Sequence, residues 1–151
     1  MASDRPSLLD VNLLVALFDP DHVHHDVAHD WFADARSQGW ATCPVTENGV
    51  IRILSNRRYS PAAETPARTA ERLRSFCGSG HHVFWADTLS LRSDDVFSHA
   101  AAYSHQAVTD VYLLALAKHH GGRLATLDRM IPVDSVRAAS RDDLIVIEAL
   151  A

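Results

Sequence analysis

The stretch Thr109-Asp110-Val111-Tyr112-Leu113-Leu114-Ala115-Leu116-Ala117-Lys118-His119-His120-Gly121-Gly122-Arg123-Leu124-Ala125-Thr126-Leu127-Asp128 decides the fold. Its apolar run after Asp110 is too long for a strand and reads as a buried helix, Asp110 to His120. Gly121-Gly122 is a strong helix stop, because glycine enters the left-handed conformation that ends a helix. Arg123 to Thr126 then reads as a short buried strand that delivers Asp128 at its carboxyl end. Helix, glycine stop, strand and acid make one half of an α/β repeat.

The same alternation runs outward from this unit. Strands are expected at Leu8-Leu9, Trp40-Ala41-Thr42-Cys43, His82-Val83-Phe84-Trp85 and Leu144-Ile145-Val146-Ile147. Helices are expected from Asn12 to Phe18, from Asp21 or His22 to about Ser37, and from Val45 to Leu54. Two more are expected from Thr65-Pro66 to near Gly78 and, briefly, from Asp94 to Ala101. Asp19-Pro20 and Gly39 are stops, and Thr65 with Pro66 is a cap followed by a favoured first position. Strands separated by helices point to a parallel sheet covered on both faces. The expected architecture is a three-layer α/β/α domain spanning 1–151, with a central parallel sheet of about five strands.

At 151 residues the chain is long enough to bury a real core, and 47% hydrophobic with 22% charged residues is ordinary for a globular protein. No apolar run approaches membrane-span length, and the start of the chain lacks signal-peptide character. A cytoplasmic protein without membrane association is the expectation. Cys43 and Cys77 fit no metal-type spacing and read as reduced thiols. A net charge of −5 argues against general nucleic-acid coating. Lys118 is the sole lysine, so arginines must do the phosphate recognition. Arg52, Arg57 and Arg58 form the best local basic group, read equally as RNA contacts or as a solvated helix face.

Four acids stand where a ligand edge is expected. Asp10 ends the first strand, Glu47 follows the second, Asp110 opens a helix and Asp128 ends a later strand. Carboxyl ends of parallel strands share one edge of the sheet, where ligands bind. Singly, Asp10 or Asp110 reads as a helix cap, Asp128 as a turn residue and Glu47 as a solvated first-turn carboxylate. Together they would repel one another without a cation, and hard oxygen ligands suit Mg²⁺ or Mn²⁺.

The segments Leu8-Leu9-Asp10-Val11-Asn12, Glu47, Thr109-Asp110 and Gly121 to Asp128 occur in one order along nearly the whole chain. In these the chain resembles a PIN-domain ribonuclease, and more narrowly a VapC toxin of a toxin–antitoxin pair. The resemblance implies Mg²⁺- or Mn²⁺-dependent endonucleolytic cleavage of translation-related RNA by metal-activated water. It implies that Asp10 and Asp110 bind metal, that Asp128 is a further ligand, and that Glu47 completes the pocket. Asn12 and Thr126 match polar positions that orient these carboxylates. It also implies a small antitoxin partner and a homodimer. Leu13, Leu14, Leu17, Trp31 and Phe32 read either as core or as lining for the antitoxin's docking groove.

Other readings compete. A receiver-like signalling domain also has an acidic Mg²⁺ pocket, but it needs a lysine at a late strand end, and Lys118 lies inside a helix. A non-catalytic RNA- or protein-binding module is the other alternative. His22, His24, His25 and His29 cluster, with His25 and His29 at helical i,i+4 spacing. They lack the glutamate of a His-Glu-x-x-His zinc motif and read as packing or capping residues. Trp31, Trp40 and Trp85 read as core.

Overall fold

The computed structural model describes residues 5–100 and 103–148. Among the described residues, five strands and five α-helices follow in the order β1 (Ser7–Leu9), α1 (Val11–Phe18), α2 (His25–Ala35), β2 (Trp40–Thr42), α3 (Pro44–Leu54), α4 (Pro66–Cys77), β3 (His82–Phe84), α5 (Val108–His119), β4 (Arg123–Thr126) and β5 (Leu144–Val146). The boundaries follow from local chemistry. The Thr65 hydroxyl accepts from the Arg68 N–H with Pro66 at the first position of α4. The Thr46 side chain turns back to accept the Cys43 N–H at 3.0 Å, which starts α3 at Pro44. Gly121 takes φ +73°, while the Gly121 and Gly122 N–H groups donate to Lys118 and Ala117 carbonyls and close α5.

The strand order is β3-β2-β1-β4-β5, and every pairing is parallel. From β1 the chain builds one side through β2 and β3, then returns to the other side at β4. The strand order therefore reverses between β1 and β4, the kind of switch point where open α/β sheets form a crevice. Side chains alternate between the two faces. Leu8, Ala41 and Leu124 pack beneath α5, whereas Leu9, Trp40 and Ala125 pack against α1 to α4. Helix α5 is buried from Val111 through Ala117, which accounts for its nearly continuous apolar sequence. At Gly49 a Cβ would lie 2.6 Å from Cγ2 of Val11, so glycine lets α3 press against the start of α1.

The histidines of α2 hold the end of α1. His25 Nδ1 lies 2.7 Å from the Ala16 carbonyl, His29 Nε2 lies 3.1 Å from that of Leu17, and Arg72 donates to that of Phe18. Carbonyls at a helix end have no partner within the helix, and these side chains supply one. Leu13, Leu14, Leu17 and Phe32 are core, as are Trp40 and Trp85; Trp31 packs half-buried against the same cluster.

Three expectations are corrected. Residues 94–100 form no helix; turns and a bridge between Phe97 and Val136 replace it, and Ala101 lies outside the described residues. Phe97 is buried, and the Ser98 and Arg137 N–H groups bond to Ser135 and Val96, so the segment is tied to a distant loop instead of to itself. Helix α2 starts at His25, because the turn after Pro20 occupies residues 21–24. Helix α5 starts at Val108, which puts Asp110 in its first turn and not at its cap.

Candidate active site

Asp10 leaves β1 and caps α1, and only 3% of it is exposed. Its Oδ1 accepts from the Val11 N–H at 2.7 Å, and its Oδ2 accepts from the Thr126 hydroxyl at 2.7 Å. That hydroxyl is itself fixed, accepting from Asn12 Nδ2 at 3.3 Å and from the Asp128 N–H at 3.0 Å. Asn12 Oδ1 in turn accepts from the Leu127 N–H at 3.2 Å. Strands β1 and β4 thus carry a hydrogen-bonded frame at the switch point, made from Asp10, Asn12, Thr126 and Asp128.

Asp110 enters from the first turn of α5, where its carboxyl comes under the influence of those of Asp10 and Asp128. Burial, then the charges of Asp10 and Asp128, push the Asp110 carboxyl up to about 7. Asp10 is also raised: burial outweighs the hydrogen bonds from Thr126 and Val11, and Asp128 adds repulsion. Three carboxyls this close cannot all be ionised cheaply, so a proton is retained or a cation takes its place. The starts of α1 and α5 both face this point, and their N-terminal dipoles favour negative charge. An all-oxygen set of this kind fits a hard divalent ion.

Glu47 has a different set of partners. Its Oε2 accepts from the Thr42 hydroxyl at 2.7 Å, and its ligand oxygen lies within 4.8 Å of those of Cys77 and His82. Electrostatic coupling thus links Asp10, Asp110 and Asp128, while the partners of Glu47 lie on β2, α4 and β3. Glu47 sits one turn into α3, where it faces α4 and β3, while Asn48 and Arg52 face the other way. They line a cavity of about 340 Å³ together with Val11, Thr109 and Asp87. Val11 and Thr109 adjoin Asp10 and Asp110 in sequence, so this cavity borders the acids. Arg57 and Arg58 lie in an exposed turn beyond the end of α3, beside Tyr59, which donates to Asp19 after the end of α1. The strand-to-helix starts face the acids, so this turn is at the far edge. Lys118 reaches Asp143 at 3.3 Å and serves no lysine-dependent phosphate site at the acids.

A model of the PIN domain matches residues 7–133. Ribonuclease VapC39 of Mycobacterium tuberculosis (strain ATCC 25618 / H37Rv) is 43% identical over 132 residues, covering 87% of this chain and 94% of its own. The chain belongs to the VapC branch of the PIN-domain family. Ribonuclease VapC44 of the same strain is 39% identical over 138 residues, covering 91% of this chain and 96% of its own. In fold, the chain is similar to Mycobacterium tuberculosis VapC20, a sarcin-ricin loop cleaving toxin. That structure matches with a TM-score of 0.57 at 16% identity, over 89% of this chain and 99% of the other.

Within this VapC frame the cavity beside the acids adds Asn48 and Asp87 to the candidate residues, and Thr109, next to Asp110, lines it with them. Asn48 and Arg52 have the i,i+4 spacing that puts them on one helix face, a signal present in the sequence. Both cysteines are free thiols. Among the described residues no helix is long and apolar enough to cross a membrane.

Proposed function

We propose that this VapC-family chain is a divalent-metal-dependent endoribonuclease and the toxin of a toxin–antitoxin pair. The observation that carries the reading is the meeting of Asp10, Asp110 and Asp128 at the switch point, with Asp110 pushed up to about 7. Asp10 and Asp110 would hold Mg²⁺ or Mn²⁺, with Asp128 beside them. When bound, such an ion supplies charge neutralisation and Lewis-acid polarisation to a phosphodiester.

The chain's own residues do the rest. Thr126 and the Val11 N–H each bond one oxygen of Asp10, so the carboxylate reaches the site in one orientation. Asn12 locks Thr126 by a second bond and ties the β4 exit through Leu127. Asp128, held by its bond from the Met130 N–H, accepts the proton of the attacking water. Arg52 on the cavity wall binds a neighbouring phosphate, and Asn48 and Thr109 offer polar contacts to the RNA strand. The RNA is a tRNA, rRNA or mRNA met in the cytoplasm. A small antitoxin would silence the site by placing an arginine among the acids, and the toxin would act as a homodimer.

The test incubates purified, antitoxin-free protein with total RNA in Mg²⁺, in Mn²⁺ and in chelator, and maps new 5′ ends. Discrete cuts that need metal support the reading. An absence of cuts from folded protein across total RNA would refute it.

A further inference from the structure

We propose that Glu47, Cys77 and His82 form a second metal site, selective for a thiophilic ion of the Zn²⁺ class and separate from the three aspartates. A carboxylate oxygen, a thiol sulfur and an imidazole nitrogen from α3, α4 and β3 all lie within 4.8 Å of one another. Tetrahedral Zn²⁺ binds such ligands at about 2.0–2.3 Å, so small side-chain rotations close the set around one ion. A set containing thiol and imidazole selects zinc-like ions over Mg²⁺, whereas the all-oxygen acids select the reverse. The fourth position is left to solvent.

The site has a supporting group. The fully buried Thr42 hydroxyl donates to Glu47 Oε2 at 2.7 Å and lies 2.8 Å from His82 Nε2. A shared hydroxyl of this kind orients both ligands before metal arrives. The backbone between Cys77 and His82 is also pinned. The Trp40 N–H donates to the His81 carbonyl and Trp40 Nε1 to that of Gly80, while His81 takes φ +66°, a rare conformation for a non-glycine residue. A bound ion would clip the end of α4 and the edge strand β3 to α3. Val83 and Phe84 on that edge are 47% and 52% exposed, so the clip would secure the least covered strand.

The test titrates untagged, chelator-treated protein with Co²⁺ and follows the thiolate-to-cobalt charge-transfer band and the d–d bands. One equivalent should bind with tetrahedral intensity, excess Mg²⁺ should not displace it, and Zn²⁺ should. Cys77→Ser and His82→Gln should abolish the charge-transfer band, and Thr42→Val should weaken binding about 10–100-fold. Glu47→Gln, nearly isosteric, should keep the fold by circular dichroism and still lose tight binding. Asp10→Asn should bind Co²⁺ as the parent does. No band in the parent protein, a band that survives Cys77→Ser, or a band lost in Asp10→Asn would each overturn the proposal.

Discussion

Thr126 Oγ1 donates to Asp10 Oδ2 at 2.7 Å, joining the ends of β4 and β1 across 116 positions of sequence. Both residues are buried, so the bond sets the direction of the carboxylate at the one place where the strand order reverses. Thr126→Val keeps the shape and removes the donor, the acceptor for Asn12, and the acceptor for the Asp128 N–H. The expected cost is about 1–3 kcal/mol in stability, from polar groups left unsatisfied. RNA cleavage should fall about 10–100-fold, as for other residues that orient metal ligands. Urea unfolding beside single-turnover cleavage measures both; a stability loss with full activity would remove Thr126 from the site's working parts.

Asp110 makes the metal-free protein pH-sensitive in a direction opposite to an ordinary paired carboxylate. Burial and the neighbouring carboxylates push its pKa from an ordinary 3.8 up to about 7, so the folded state holds the proton more tightly. Stability from this group is therefore full below the unfolded value and is lost as pH rises from about 4 to about 7. Melting of the parent in chelator should fall relative to Asp110→Asn across that window. Mg²⁺ should raise the parent's Tm above neutral pH and leave Asp110→Asn nearly unmoved.

Asp143 behaves the other way. Burial raises its pKa, but the hydrogen bonds from Arg5, the Ser140 N–H and Lys118 outweigh burial and hold it below the usual range. Its contribution is present above the unfolded value and lost as pH falls through the folded one. Arg5 and Lys118 are 26% and 39% exposed, so breaking one contact costs between the about 1 kcal/mol of an exposed pair and the about 3–5 kcal/mol of a buried one. Lys118→Met should lower Tm at neutral pH and leave RNA cleavage unchanged.

The three basic candidates separate by position. Arg52 lines the cavity beside the acids, whereas Arg57 and Arg58 lie past the far end of α3. Arg52→Ala should weaken RNA binding and reduce the salt dependence of binding by about one phosphate contact. Arg57→Ala should change neither. Fluorescence-anisotropy titrations at several salt concentrations, using catalytically inactive protein, make the comparison.

The frame of this fold was legible because its signals are local and strong. Gly121-Gly122 marks the end of α5, Thr65-Pro66 the start of α4, and short apolar runs ending at Asp10 and Asp128 mark β1 and β4. Those same runs carried Asp10 and Asp128 to one edge, since parallel strands end together, and the first turn of α5 brings Asp110 there. The partners of Glu47 (Thr42, Cys77 and His82) were not legible. Successive residues of an α-helix point about 100° apart, so the facing of Glu47 depends on where α3 begins. That start is set at Pro44 by Thr46 bonding back to Cys43, one residue before the expected Val45. Residues 94–100 were misread for a related reason: their polar stretch resembles a helix start, but Phe97 is fixed by a bridge to Val136, far along the chain.

The most direct measurement compares mapped RNA cleavage by the parent, Asp10→Asn, Asp110→Asn and Glu47→Gln proteins in saturating Mg²⁺. Discrete parental cuts should vanish in both aspartate variants, with a smaller loss in Glu47→Gln. Cuts that persist in both aspartate variants, or a Glu47→Gln loss as complete as theirs, would overturn the three-aspartate site.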